Sequence, residues 1–126
     1  MRATAIADSI TNQRIKERNV KTMATVKVTE ANFSELVQNN EKTVLLDFYA
    51  DWCGPCKMIA PVIEAISNEN PDITVGKINV DDEPGLAAGF KITAIPTLVV
   101  VKNGQVKAKQ MGVVPKSEIL ALIEKS

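Results

Sequence analysis

The sequence contains no histidine and only two cysteines, one tryptophan, one tyrosine and three phenylalanines among its 126 residues. Without histidine, the chain lacks the usual general base, the commonest metal ligand and every Cys-His or Ser-His catalytic pair. A structural zinc ion needs about four ligands, and one C-x-x-C pair supplies half of them. A zinc site would therefore require a second copy of the chain, and we expect no metal.

The sequence also lacks net charge and long apolar runs. Its 15 basic and 15 acidic residues balance to a formal charge of zero, so no global charge attracts the chain to nucleic acid or to an anionic membrane. No apolar run approaches the roughly 18 residues of a transmembrane helix. With 45% hydrophobic and 24% charged residues, the composition is that of a soluble globular protein with a single core.

The charge is unevenly distributed along the chain. Residues 1–22 carry five basic and two acidic residues, a net charge of +3, and the remainder carries −3. Four apolar residues at helical spacing in this segment bury too little surface to offset its ordering entropy. We therefore predict a weakly structured, dispensable extension at 1–22, a domain at 23–126, and Met23 as an alternative start. An organelle-targeting segment is the second interpretation, which the acidic residue Asp8 disfavours.

From Met23 onward, strand and helix patterns alternate. Strands are predicted at 25–29, 43–50, 72–80, 96–102 and 105–111, and helices at 30–40, 56–70, 83–90 and 115–126. Asn103-Gly104 is a strong hairpin signal between the last two strands. The order predicts an α/β fold with a mixed, five-stranded central sheet and helices on both faces. In such a sheet the reactive site lies beyond the carboxyl end of a central strand, where Cys53 stands.

The two cysteines stand three positions apart in "WCGPC", at the start of a predicted helix. Residues at i and i+3 of a first helical turn have Cα atoms about 5 Å apart, which suits a disulfide. A loop this short gains little entropic stabilisation from a cross-link, so reversible chemistry explains the pair better than a structural role. The helix N-terminus favours a thiolate at Cys53, which we expect to be the exposed nucleophile, with Cys56 as the resolving thiol.

The chain from about Met23 to Ser126 resembles the thioredoxins. "WCGPC" is the active-site sequence of that family, as distinct from the "CGHC" of protein disulfide isomerases and the "CPHC" of DsbA-type oxidases. Asp47 precedes Cys53 by six residues, "KMIAP" follows Cys56, and "AIPT", "KNGQ" and Gly112 come later in the family's order. The resemblance implies the thioredoxin fold and a protein disulfide reductase, that is, a thiol-disulfide oxidoreductase.

The resemblance also implies roles for two charged residues. Asp47 matches an aspartate that lies beneath the second cysteine and accepts its proton, and Lys77 matches the lysine that partners this aspartate. The residues agree with this, because apolar surroundings within "TVLLDFYA" raise the pKa of a carboxyl group. The alternative interpretation is a solvated charge pair on an edge strand.

A further set of residues is expected to form an apolar surface on which an extended client peptide docks. Its members are Trp52, Gly54, Pro55, Ile95, Pro96, Gly112 and Val113. The sequence by itself predicts a trans bond before Pro96, whereas the resemblance implies a cis bond. For Ile95 and Val113, ordinary packing is the alternative interpretation.

The resemblance implies partners rather than bound cofactors. Electrons would come from a thioredoxin reductase, which holds the NADPH and flavin, and would pass through the Cys53–Cys56 disulfide to client proteins. A reductase is favoured over an oxidase or isomerase because no histidine lies between the cysteines. We expect a cytoplasmic monomer that serves electron transport and redox homeostasis. A redox-independent binding or scaffold module on the same fold remains the alternative function.

Overall fold

A computed structural model describes residues 25–126. The predicted extension at 1–22 and its boundary at Met23 lie outside these residues. The strands are β1 (Thr25–Lys27), β2 (Thr43–Tyr49), β3 (Ile73–Asn79), β4 (Thr97–Lys102) and β5 (Gln105–Met111). The helices are α1 (Gly54–Glu69), α2 (Pro84–Gly89) and α3 (Lys116–Lys125), and a π-helical segment spans Ser34–Gln38.

The five strands form one mixed sheet in the order β1-β3-β2-β4-β5. β1, β3 and β2 run parallel, and β4 is antiparallel to both β2 and β5. The turn between β4 and β5 has positive φ at both Asn103 (51°) and Gly104 (78°), the conformation of a tight hairpin turn that matches strand twist. The predicted mixed sheet and its antiparallel hairpin are confirmed.

Helices cover both faces of the sheet, as the sequence predicts. Alternate residues of β2 point to opposite faces, so that Leu46 and Phe48 belong to one core cluster and Leu45 to the other. The first cluster packs against the π-helical segment and α2, and the second against α1 and α3. β2 is thus covered on both sides, and it ends directly before the cysteines.

The helix predicted at 30–40 is wrong in extent, since helical structure is limited to Phe33 and the π-helical segment Ser34–Gln38. The Asn32 side chain accepts a hydrogen bond from the Thr29 amide (2.8 Å) and donates one to the Lys27 carbonyl (3.0 Å). At the other end, Asn40 donates to the Leu36 carbonyl (2.9 Å). Asn32 thus ties the start of the segment to residues before it, and Asn40 takes the Leu36 carbonyl that the backbone of a continuing helix would use.

No helix among residues 25–126 is both long enough and apolar enough to cross a membrane.

Candidate active site

A disulfide between Cys53 and Cys56 lies at the carboxyl end of β2, where α1 begins. The Cα atoms of the two residues are 5.3 Å apart, close to the spacing predicted for one helical turn. Cys53 is the N-cap of α1, and its sulfur accepts a hydrogen bond from the Cys56 amide at 3.1 Å. Gly54 and Pro55 are the first two residues of the helix, where the missing N–H of proline costs nothing.

The predicted difference in exposure between the two cysteines is wrong for this disulfide state. Cys53 and Cys56 each expose 4% of their surface. Both sulfurs are covered because they are bonded to each other and packed against Ala50 and Ile95. What distinguishes the two cysteines is the backbone, since Cys53 precedes the helix and Cys56 lies within its first turn.

Trp52 is the most prominent apolar side chain beside the disulfide, with 70% of its surface exposed. Its indole Nε1–H donates to Asp81 Oδ2 at 2.8 Å, and the Asp81 amide donates to Asn79 Oδ1 at 2.9 Å. Sequence reasoning missed Asp81. Its place directly after the carboxyl end of β3, next to β2 in the sheet, is the signal that identifies it.

The segment before β4 also packs against the cysteines. The Ile95–Pro96 peptide bond is cis, as the family resemblance implies. The Ile95 carbonyl oxygen is 3.9 Å from Cys53 Sγ. Pro96 is buried, and its carbonyl accepts a hydrogen bond from the Gly112 amide at 2.8 Å. The structure therefore brings Ile95, Pro96 and Gly112 together next to the cysteines.

Gly112 and Val113 follow directly after β5. Gly112 has a φ of 88°, a left-handed conformation that favours glycine. Val113 is 45% exposed, and Met111 on the other side of Gly112 is 56% exposed. Ordinary core packing is thus excluded for Val113, and these two side chains add apolar surface at this edge of the site.

Asp47 is buried on β2, with 1% of its surface exposed. Neither carboxylate oxygen has a hydrogen-bond partner among residues 25–126. Burial raises the pKa of Asp47 to about 6, against an opposing, smaller effect of the positive charge of Lys77. By strand alternation, Asp47 faces the same side of the sheet as Leu45, which packs against α1. The interpretation of Asp47 as a solvated edge residue is therefore wrong.

Lys77 lies opposite Asp47 in the register of β3 against β2. Lys77 and Asp47 form no ion pair within the described part of the chain, so their charges interact over more than 4.0 Å. The Lys77 ammonium instead lies 4.7 Å from the centre of the Tyr49 ring, a cation–π contact that sequence reasoning missed. The positive charge of Lys77 therefore lowers the pKa of Asp47, but by less than burial raises it.

No group of three or more histidine, cysteine, aspartate or glutamate side chains among residues 25–126 is arranged to hold a metal ion.

Comparison with known proteins places this site in a family. The family profile described as Thioredoxin matches residues 24–125. A thioredoxin of Mycobacterium tuberculosis (strain H37Rv) is 47% identical over 98 residues, which cover 77% of this chain and 84% of that protein. A thioredoxin of Porphyra purpurea is 45% identical over 104 residues, covering 82% and 97%. One of Haemophilus influenzae is 44% identical over 97 residues, covering 76% and 91%. The chain therefore belongs to the thioredoxin family, and with its Cys53–Cys56 pair it is a thiol-disulfide oxidoreductase that reduces protein disulfides.

Proposed function

We propose that the reduced protein cleaves client disulfides in two exchange steps, with Cys53 as the nucleophile and Cys56 as the resolving thiol. In the first step the Cys53 thiolate attacks one client sulfur, so that a mixed disulfide forms and the other client sulfur leaves as a thiolate. In the second step Cys56 attacks Cys53 Sγ, which releases the second client thiolate and closes the Cys53–Cys56 disulfide. Two electrons pass to the client in each cycle.

The observation that carries this assignment is the hydrogen bond from the Cys56 amide to Cys53 Sγ, 3.1 Å long. An N–H group of the first helical turn, which has no carbonyl partner within the helix, is thus directed at the Cys53 sulfur. A helix N-terminus stabilises an anion by about 0.3–1 kcal/mol, which favours the thiolate at Cys53. Cys56 lies within the first turn, so it does not occupy the N-cap position at which Cys53 receives this hydrogen bond.

We propose that Asp47 accepts the proton of Cys56 in the second step. A carboxyl group with a pKa of about 6 is ionised at neutral pH and remains basic enough to take a proton from a thiol. Its two oxygens have no hydrogen-bond partner in residues 25–126, so they are free for this transfer, directly or through water. Lys77 tunes this pKa from the neighbouring strand.

The proposed docking surface surrounds the disulfide and is formed by Trp52, Gly54, Pro55, Ile95, Pro96, Gly112 and Val113. Among the described residues, the main-chain N–H and C=O of Ile95 form no backbone hydrogen bond. An extended client strand can pair with these groups while its disulfide lies over Cys53, as in other cases of strand addition.

The reductant and the location of the protein are also proposals. The family membership supports a thioredoxin reductase as the electron donor, with NADPH and flavin held by that partner. Both cysteines of the chain belong to the redox pair, which is typical of proteins from a reducing compartment such as the cytoplasm. We expect a monomer, and size-exclusion chromatography of the reduced protein tests that expectation.

Turnover of insulin disulfides with dithiothreitol as the reductant tests the proposed function. The wild type accelerates the reduction, and Cys53→Ser and Cys56→Ser both lose this acceleration. Asp72→Asn, a change at an exposed position on the loop before β3, is a control that keeps it. A wild type without cysteine-dependent turnover would instead favour the redox-independent binding module.

A further inference from the structure

Lys109 makes contacts that are unusual for an exposed lysine on an edge strand. Its ammonium group donates hydrogen bonds to the carbonyl oxygens of Phe90 (2.8 Å) and Lys91 (3.3 Å). Phe90 is the C-cap of α2, and Lys91 is the next residue. A side chain of β5 therefore caps the end of a helix whose C-cap lies 19 positions earlier in the sequence.

The end of α2 contains a non-glycine residue in the left-handed conformation. The Ile92 amide donates to the Ala87 carbonyl (2.9 Å) and the Lys91 amide to the Ala88 carbonyl (3.0 Å), the two bonds of a Schellman motif. Lys91 occupies the left-handed position of this motif with a φ of 57°, where glycine is the usual residue. The Lys109 cation donates to the carbonyls of the C-cap Phe90 and of Lys91, at the helix end where a positive charge is favourable.

The residue directly after β5 bonds the far end of the segment that follows α2. Residues 91–96 form the connection from α2 to β4, without regular structure. At its end, the Gly112 amide donates to the Pro96 carbonyl at 2.8 Å. Lys109 and Gly112, three residues apart, thus fix the two ends of the segment that carries Ile95 to the disulfide.

We propose that Lys109 is a positioning residue for client docking. By fixing where α2 ends, it fixes the path of the 91–96 segment and hence the direction of the free Ile95 main-chain groups beside Cys53. It does not touch the reacting sulfurs, so its removal weakens the docking of a peptide substrate without changing the chemistry at Cys53. This inference rests on the proposed function.

Stopped-flow reduction by the pre-reduced, desalted protein tests the proposal. Trp52 is the sole tryptophan of the chain and adjoins Cys53, so its fluorescence reports the oxidation of the pair. Insulin is the docking-dependent substrate, and 5,5′-dithiobis(2-nitrobenzoic acid) is a small disulfide that needs no docked peptide. Lys109→Met removes the donors at similar length, Lys109→Arg keeps donors and charge, and Lys107→Met makes the same charge change two residues earlier on β5.

Lys109→Met is expected to raise the half-saturating insulin concentration about fivefold, the effect of losing one hydrogen-bonded anchor, with the limiting rate unchanged. Its rate with the small disulfide is unchanged, and Lys109→Arg and Lys107→Met behave as the wild type with both substrates. The proposal is overturned if Lys109→Met equals the wild type with insulin, if Lys107→Met shows the same loss, or if both substrates slow equally. A wild type that fails to reduce insulin overturns the proposed function as well, whereas an active wild type with an equally active Lys109→Met overturns only this inference.

Discussion

Replacing Asp47 by asparagine should stabilise the folded protein at neutral pH, because it removes a charge that is buried without a partner. Asp47 is 1% exposed, and neither of its oxygens has a hydrogen-bond partner among residues 25–126. The pKa of about 6 in the folded state exceeds the ordinary value of 3.8 by about two units. At about 1.4 kcal/mol per unit, ionisation of Asp47 lowers the free energy of unfolding by about 3 kcal/mol.

The sign of the pH dependence follows from the direction of the shift. Because the pKa is raised on folding, the folded protein binds more protons than the unfolded chain between about pH 4 and pH 6. The contribution of Asp47 to the stability of the wild type therefore falls as pH rises through this window. The asparagine side chain of the Asp47→Asn variant is neutral at every pH and has nearly the shape of a protonated aspartate, so the variant lacks this loss.

Urea unfolding of the wild type and of Asp47→Asn, both with the disulfide formed, measures the difference in stability from pH 4 to pH 8. Circular dichroism follows the unfolding. The two proteins should be equally stable near pH 4, and Asp47→Asn should be more stable by about 3 kcal/mol at pH 7.5. Asp72→Asn provides the matched control, because it removes a charge at an exposed position. A stability difference between Asp47→Asn and wild type that does not change with pH would refute the reasoning.

Three other outcomes are expected. Gly76→Ala should lower the free energy of unfolding by about 2 kcal/mol, because the new Cβ would lie 2.6 Å from Val28 Cγ2. Gly89→Ala is the control, since its new Cβ meets open space, and equal effects of the two substitutions would contradict this prediction. Thr97→Val should lower the free energy of unfolding in urea by about 1 kcal/mol, because it removes the buried hydroxyl that donates to the Ala94 carbonyl (2.6 Å). Thr97→Ser retains this hydrogen bond and is the control. A Thr97→Val variant as stable as the wild type would show that the bond contributes nothing. Asp47→Asn should slow insulin turnover about tenfold or more at pH 7.5, since it removes the proposed proton acceptor of Cys56, and an unchanged rate would exclude that role.

The sheet could be predicted from the sequence because its strands are marked by their side chains. β2 and β4 are apolar on both parities, which indicates strands covered on both faces. The Asn103-Gly104 turn has a local signature that few other structures share. The helix predicted at 30–40 is too long because the hydrogen bonds of Asn32 to Lys27 and of Asn40 to Thr74 involve partners that the helical pattern does not reveal.

The candidate site also has parts that the sequence predicts and parts that it does not. The spacing of three residues was sufficient to place Cys53 and Cys56 at the first turn of one helix. The cis bond before Pro96 followed from the family resemblance, since propensity favours trans. The Trp52–Asp81 hydrogen bond and the Lys109 contacts join residues from distant parts of the sequence, and only the order of the strands in the sheet shows that they are neighbours.

The covalent complex formed with a client tests the central claim, the division of roles between Cys53 and Cys56, most directly. Each reduced single-cysteine variant is mixed with a peptide that contains one disulfide, and the products are mapped by mass spectrometry. Cys56→Ser should accumulate a mixed disulfide through Cys53, because no second thiol remains in the chain to resolve it. Cys53→Ser should form little or none in the same time. A mixed disulfide on Cys56 that forms as fast as the one on Cys53 would contradict the account.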